Sequence, residues 1–181
     1  MGKIPVTWAK RSAFALPTGW DPVPFRLKSG ALISCPFDGN QPYIVQPRNV
    51  DIDENIEWAK AFKINSAGAF GLNPFRYAEF ASKFDQNAKF DYQRPPNTNY
   101  FLAFYISFAS YPFGVLGYYA GFSMDVLFEG GGRLNQLHAL EDRVTHLGQT
   151  TIKTSGADGL TPLNEWCIRR AFQDIKLDQI P

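Results

Sequence analysis

The sequence predicts a mostly α-helical chain with an extended, proline-rich amino-terminal arm, one membrane-spanning helix over about 100–122, and no independent globular core. Short amphipathic helices are expected near 74–86, 134–147 and 162–177. Three observations lead there. The window 95–124 carries no Asp, Glu, Lys, Arg or His. Small residues inside it recur at helical intervals. The first fifty residues hold Pro5, Pro17, Pro22, Pro24, Pro36, Pro42 and Pro47, each removing a backbone donor and holding its predecessor extended.

The arm, 1–72, has apolar runs such as "ALISCPF" and "PYIVQP" that are short and interrupted. It reads as a segment with short strands lying along another surface. In "NIEWAKAFKI", Ile56, Trp58, Phe62 and Ile64 fit one strand face, whereas a helical face through Ile56, Ala59, Lys60 and Lys63 is poorly apolar; extended structure is expected. In 73–96, Asn73 can cap and Pro74 suits a first helical position, with Tyr77, Phe80, Ala81 and Phe84 at helical spacing. "QRPPNTN" stops that helix.

The third segment, 97–124, decides the fold class. Its apolar part, Tyr100 to Phe122, exceeds the roughly 20 residues a helix needs to cross the hydrocarbon core. Ala103, Ser107, Ser110, Gly114, Gly117 and Gly121 step by alternating four and three residues, one face of a helix and both faces of a strand. Such a stripe lets another helix approach closely. Tyr100, Tyr118 and Tyr119 fall near the ends, where amphipathic rings suit an interface, and Pro112 can kink the rod. Arg76, Lys83, Lys89 and Arg94 before the run outnumber Arg133 and Arg143 after it, turning the amino-terminal side toward a matrix or cytoplasm. A pair of buried strands is the main competing reading, and a buried helix of a soluble fold is the remaining one.

In 125–181, "FEGGGRL" reads as a flexible break. Leu137, Leu140, Val144 and Leu147 then form a heptad-type seam closed by Gly148, too short to stand alone and suited to docking on a partner. Thr161 and Pro162 open a final helix with Leu163, Trp166, Cys167, Ala171 and Ile175 inward.

Signals for chemistry are sparse. A net charge of +1 gives no electrostatic case for nucleic acid. His138 and His146 sit two turns apart on the seam helix, and "DIDEN" lacks the remaining positions of a calcium loop. "EGGGR" lacks the Gly-Lys-Ser/Thr that completes a phosphate loop. Cys35 and Cys167 lie far apart, with no metal or redox spacing, and read as buried or idle thiols. The amino terminus has no secretory apolar core, and a cleaved presequence is disfavoured. No catalytic, cofactor-binding or metal-ligating residue is expected, and a structural lipid beside Pro112 is the one candidate ligand. The expectation is a non-catalytic accessory subunit of a large membrane-embedded complex, a mitochondrial respiratory complex or ATP synthase, with the other subunits and the inner-membrane bilayer as partners.

A second reading rests on "FGLNPFRYAEFASKFDQNAKFDYQRPP". Leu72, Asn73, Pro74, Ala78, Phe80, Phe84, Phe90 and Tyr92 resemble the stretch of icosahedral plant-virus coat proteins where a short helix follows Asn-Pro and leads into a strand. The resemblance covers about 25 residues of the chain and implies a jelly-roll virion protein. No Arg/Lys-rich amino arm for packaging RNA accompanies it, and the region after Phe108 does not alternate. A ligand-binding or lectin-like β-protein using exposed aromatics is a third reading.

Overall fold

The computed structural model describes residues 16–38, 41–66, 74–85, 87–96, 101–133 and 160–180. Within them the chain is mostly helical, with one two-stranded antiparallel ribbon of β1 (Pro22–Pro24) and β2 (Val45–Pro47). Pro22 pairs with Pro47 and Pro24 with Val45. Both strands are edges, so the missing proline donors interrupt no continuing ladder.

Helix α1 (Ile52–Ser66) occupies the segment for which extended structure was expected. Asp51 explains the difference. Its Oδ1 accepts from the Asp53 amide at 2.9 Å and the Glu54 amide at 3.2 Å, satisfying two donors of the first turn. Asp53 and Glu54 then stand at the positive end of the helix dipole and Lys63 in the last turn. The inward stripe is Ile56, Ala59 and Phe62, with Trp58 half-buried, and Lys60 swings out to Glu57 at 2.7 Å. The alternation of Ile56, Trp58 and Phe62 concealed that stripe.

Helix α2 (Pro74–Ala81) is shorter than the expected 74–86. Beyond it Lys83 accepts the Phe90 amide at 2.7 Å, and Asn87 adopts a positive φ of 59°, closing a turn. Phe90 and Tyr92 of the coat-protein resemblance are buried in turns, not in a strand.

The apolar run forms a 3-10 turn (Ala103–Tyr105) and then helix α3 (Ile106–Tyr119), ending at Ala120 and Gly121 with φ +86°. At 14 residues α3 is about 21 Å long against a hydrocarbon core of about 30 Å. No helix among the described residues is long and apolar enough to cross a membrane. The expected span over 100–122 is therefore corrected, and the mitochondrial inner-membrane placement, its matrix-facing orientation and the respiratory-chain and ATP-synthase assignments built on it fall too. The run is apolar because α3 lies at the centre of the molecule. Phe108, Tyr111, Val115 and Leu116 are fully buried by the chain itself.

Residues 124–133 are helical and constitute α4, with Ser123 Oγ accepting the Val126 amide at 3.3 Å. The glycines of "EGGGR" lie inside this helix, and Arg133 pairs with Glu129 one turn back, so the expected flexible break is corrected. The heptad seam of Leu137, Leu140, Val144 and Leu147, with His138 and His146, lies outside the described residues. Helix α5 (Pro162–Lys176) begins at Thr161, whose side chain accepts the Asn164 amide at 3.2 Å.

The expectation of no independent core is also corrected. Buried side chains from the amino-terminal third (Phe25, Leu27, Ile33, Ile44), α1, α3, α4 and α5 form one hydrophobic cluster. The proline-rich arm lies along its own chain: the Phe25 ring packs 5.7 Å from Phe108 and 5.3 Å from Tyr111.

Candidate functional site

The polar groups buried most deeply gather where α3 meets α5 and the loop after β1. On α3, Ser107, Ser110, Tyr111 and Gly114 fall at intervals of three, one and three, which places them on neighbouring faces of the helix. On α5 the facing residues are Asn164, Cys167, Ile168, Ala171 and Asp174.

Gly114 permits the approach. A Cβ there would lie 2.9 Å from both the Ile168 Cα and the Ala171 Cβ, so the two helix backbones are closer than any side chain allows. With the helices that near, polar side chains reach across. The Tyr111 hydroxyl donates to Asp174 Oδ2 at 2.8 Å, and Arg170 Nε donates to the same oxygen at 2.8 Å. Asp174 is 1% exposed, so these donors replace the water its carboxylate has lost. Ser110 Oγ stands 3.0 Å from both Asn164 Oδ1 and Ile106 O and shares its proton between them. Ser107 Oγ donates to Asp38 Oδ2 at 2.6 Å, fastening the loop after β1 to α3.

That loop makes a turn over Cys35-Pro36-Phe37-Asp38, with the Asp38 amide donating to the Cys35 carbonyl at 3.2 Å and proline in the position that favours such turns. The turn places Cys35 in the same hydrophobic cluster as Cys167 of α5. Both are free and buried. The Cys35 thiol is pushed down to about 7 by the Cys167 S–H, against the cost of burial and with help from the Phe37 and Asp38 amides. The Cys167 thiol is held up, because its hydrogen serves Cys35 and because it is buried. Burial pushes the Tyr111 phenol up, and the Asp174 carboxylate adds to the shift.

Comparison with family models, with curated proteins and with solved structures finds no match. The chemistry of the chain is therefore read from its own geometry.

The stripe residues take separate places. Ser107 reaches Asp38, Ser110 reaches Asn164 and Gly114 meets α5. A Cβ on Gly117 would lie 2.5 Å from a Leu127 methyl of α4. Gly121 turns the chain beside the Lys63 stem, and Ala103 is exposed in the 3-10 turn. Among the described residues no group of three or more His, Cys, Asp or Glu could hold a metal ion. Asp51 of "DIDEN" is occupied as the α1 cap. Two solvent-open grooves, of about 530 and about 270 Å³, share Asn49, Val50 and Asp51 at the start of α1; neither is lined by the thiols.

Sequence reasoning missed the buried Asp174. For Asp174 a signal existed: it lies three residues after Ala171 on the inward side of α5, four after Arg170.

Proposed function

We propose that this chain is a non-catalytic structural subunit of a multi-protein assembly, held there by other protein chains. The observation that carries the reading is two large apolar side chains with most of their surface exposed, each next in sequence to a residue that holds the bend at Ala120–Phe122. Phe75 is 79% exposed and Ile64 73% exposed. Their sequence neighbours grip the same bend: Arg76 donates to the Ala120 carbonyl and lies 5.0 Å over the Phe122 ring, and the Lys63 stem packs on Gly121. The bend is thus held from within by the sequence neighbours of two side chains whose apolar surface stays largely exposed. A preformed apolar anchor beside cations is the chemistry of a protein-docking hot spot. The buried polar groups of the α3–α5 seam favour the same reading, since Asp174 and Ser110 spend their hydrogen bonds on holding α3 to α5, and Ser107 on holding α3 to the loop after β1.

The test is sedimentation of a native extract containing the full chain, alongside a Phe75→Glu, Ile64→Glu variant. The native chain should sediment far above its own mass, and the variant, with unchanged near-UV circular dichroism, at its own mass. Native chain sedimenting as a monomer contradicts the proposal, as does variant chain retained in the large species. Particles made of this chain alone would instead favour the virion reading.

A further inference from the structure

We propose that the smaller groove at the start of α1, of about 270 Å³, binds a single neutral sugar ring. Its lining includes two polar side chains that are more than nine-tenths buried, Asn55 of α1 and Tyr92. Asn55 Nδ2 donates to the Tyr92 oxygen at 2.9 Å. That bond occupies one hydrogen of the amide and one side of the phenol oxygen. Neither the Tyr92 hydroxyl hydrogen nor Asn55 Oδ1 has a partner among the described residues. Burial holds the Tyr92 phenol above its ordinary value, so it keeps its proton and stays a donor. A donor and an acceptor thus stand beside each other in a concave site, and a buried polar group without a partner is costly. A ligand that answers both with an acceptor and a donor is favoured there.

The turn over 87–96, which forms one side of the groove, is braced before any ligand arrives. The Asp91 side chain, 4% exposed, accepts from the Asn87 amide at 2.8 Å, the Gln93 amide at 3.2 Å and Arg94 Nη1 at 3.3 Å. Asn87, Lys89 and Arg94 line the groove from that frame, so little ordering remains for binding to accomplish. The charges narrow the ligand class. Asp51, Glu54 and Asp91 line the groove against Lys89 and Arg94, which leaves no excess of positive charge to hold a phosphate or a carboxylate. A metal cation is no better served, because Asp91 is engaged by Arg94 and two amides, and Asp51 Oδ1 by two amides of α1. The lining is a mixture of donors and acceptors, with apolar surface from Trp20 and Val50. A sugar hydroxyl both donates and accepts, so it can pair with either kind, and the C–H groups of the ring suit the apolar part. The volume lies just below the roughly 300–1,000 Å³ of drug-sized pockets, room for one ring and not for a chain of them.

The experiment titrates the folded full chain, by saturation-transfer NMR, with glucose, galactose, mannose and N-acetylglucosamine. Each is used as the free sugar and as its methyl glycoside, with adenosine and inorganic phosphate alongside. At least one sugar should bind saturably. Tyr92→Phe should weaken that binding about tenfold, the loss of one buried hydrogen bond. Glu54→Gln, on the exposed rim, should weaken it several-fold, and Glu165→Gln, which does not line the groove, should leave it unchanged. A methyl glycoside binding as well as its free sugar assigns the site to the end of a glycan; the free sugar alone assigns it to a monosaccharide, and either upholds the proposal. No saturable sugar, binding that both Tyr92→Phe and Glu54→Gln leave unchanged, or adenosine or phosphate bound more tightly than every sugar overturns it. If Tyr92→Phe fails to fold, Glu54→Gln decides alone.

Discussion

The two sides of α3 are packed by different means. Toward α5 the helix presents a glycine and hydrogen-bonding side chains, and backbones approach until a single Cβ would collide with the partner's main chain. Toward α1 and α2 the molecule is filled by rings. Phe80, wholly buried, lies within 6.3 Å, centroid to centroid, of Trp58, Phe62, Phe84, Phe113 and Phe122. The aromatic side supplies area removed from water, with no one ring dictating the arrangement. The polar seam supplies direction, since each donor has one place to go. Burial and specificity are thus assigned to opposite flanks of one short helix.

The contrast can be broken by substitution. Phe80→Ala should cost the most, about 3–5 kcal/mol by chemical denaturation, through the cavity it leaves among the surrounding rings. Asp174→Ala comes next at about 3 kcal/mol, because the buried Tyr111 hydroxyl loses its acceptor and Arg170 its partner. Gly114→Ala should cost about 2 kcal/mol through the Ile168 backbone, against less than about 1 kcal/mol for Gly117→Ala, where flexible Leu127 methyls can move. Phe80→Leu sharpens the comparison: the ring side should absorb it for about 1.5 kcal/mol. Tyr111→Phe, which removes one oxygen, should cost about as much. Equal tolerance of shape and intolerance of chemistry on both flanks would remove the distinction.

A pH series probes the seam more gently. The Tyr111 and Tyr92 phenols are held above their ordinary value by burial. A raised folded pKa gives stability that is complete below the unfolded value of about 10 and is lost as pH rises toward the folded one. Denaturation midpoints should therefore fall as pH climbs past about 10, with a shallower fall in Tyr111→Phe. An identical slope in that variant would place the alkaline loss elsewhere.

Parts of this architecture were legible in the sequence because they are local. Thr161-Pro162 and its apolar spacing mark α5, and Pro74 marks the start of α2, because turn signals and periodicity act within a turn or two. Where a neighbour decides, the sequence misleads. A charge-free run with a small-residue stripe describes a helix surrounded by apolar matter, and composition does not separate lipid from the same chain's own rings. Gly114 would serve either setting, and α5 decides which. The α1 segment misleads for a smaller reason: Ile56, Trp58 and Phe62 alternate as a strand would, while Asp51 caps a helix start.

The claim on which the rest depends is that α3 is buried by its own chain, with α5 as its closest partner. Native-state hydrogen exchange of the full chain in lipid-free buffer tests it most directly. Amides of Ile106–Tyr119 and Pro162–Lys176 should open together, as one cooperative unit, at the free energy of global unfolding. Free exchange along α5 while α3 stays protected, or protection of α3 that arises on adding lipid or detergent, would contradict it.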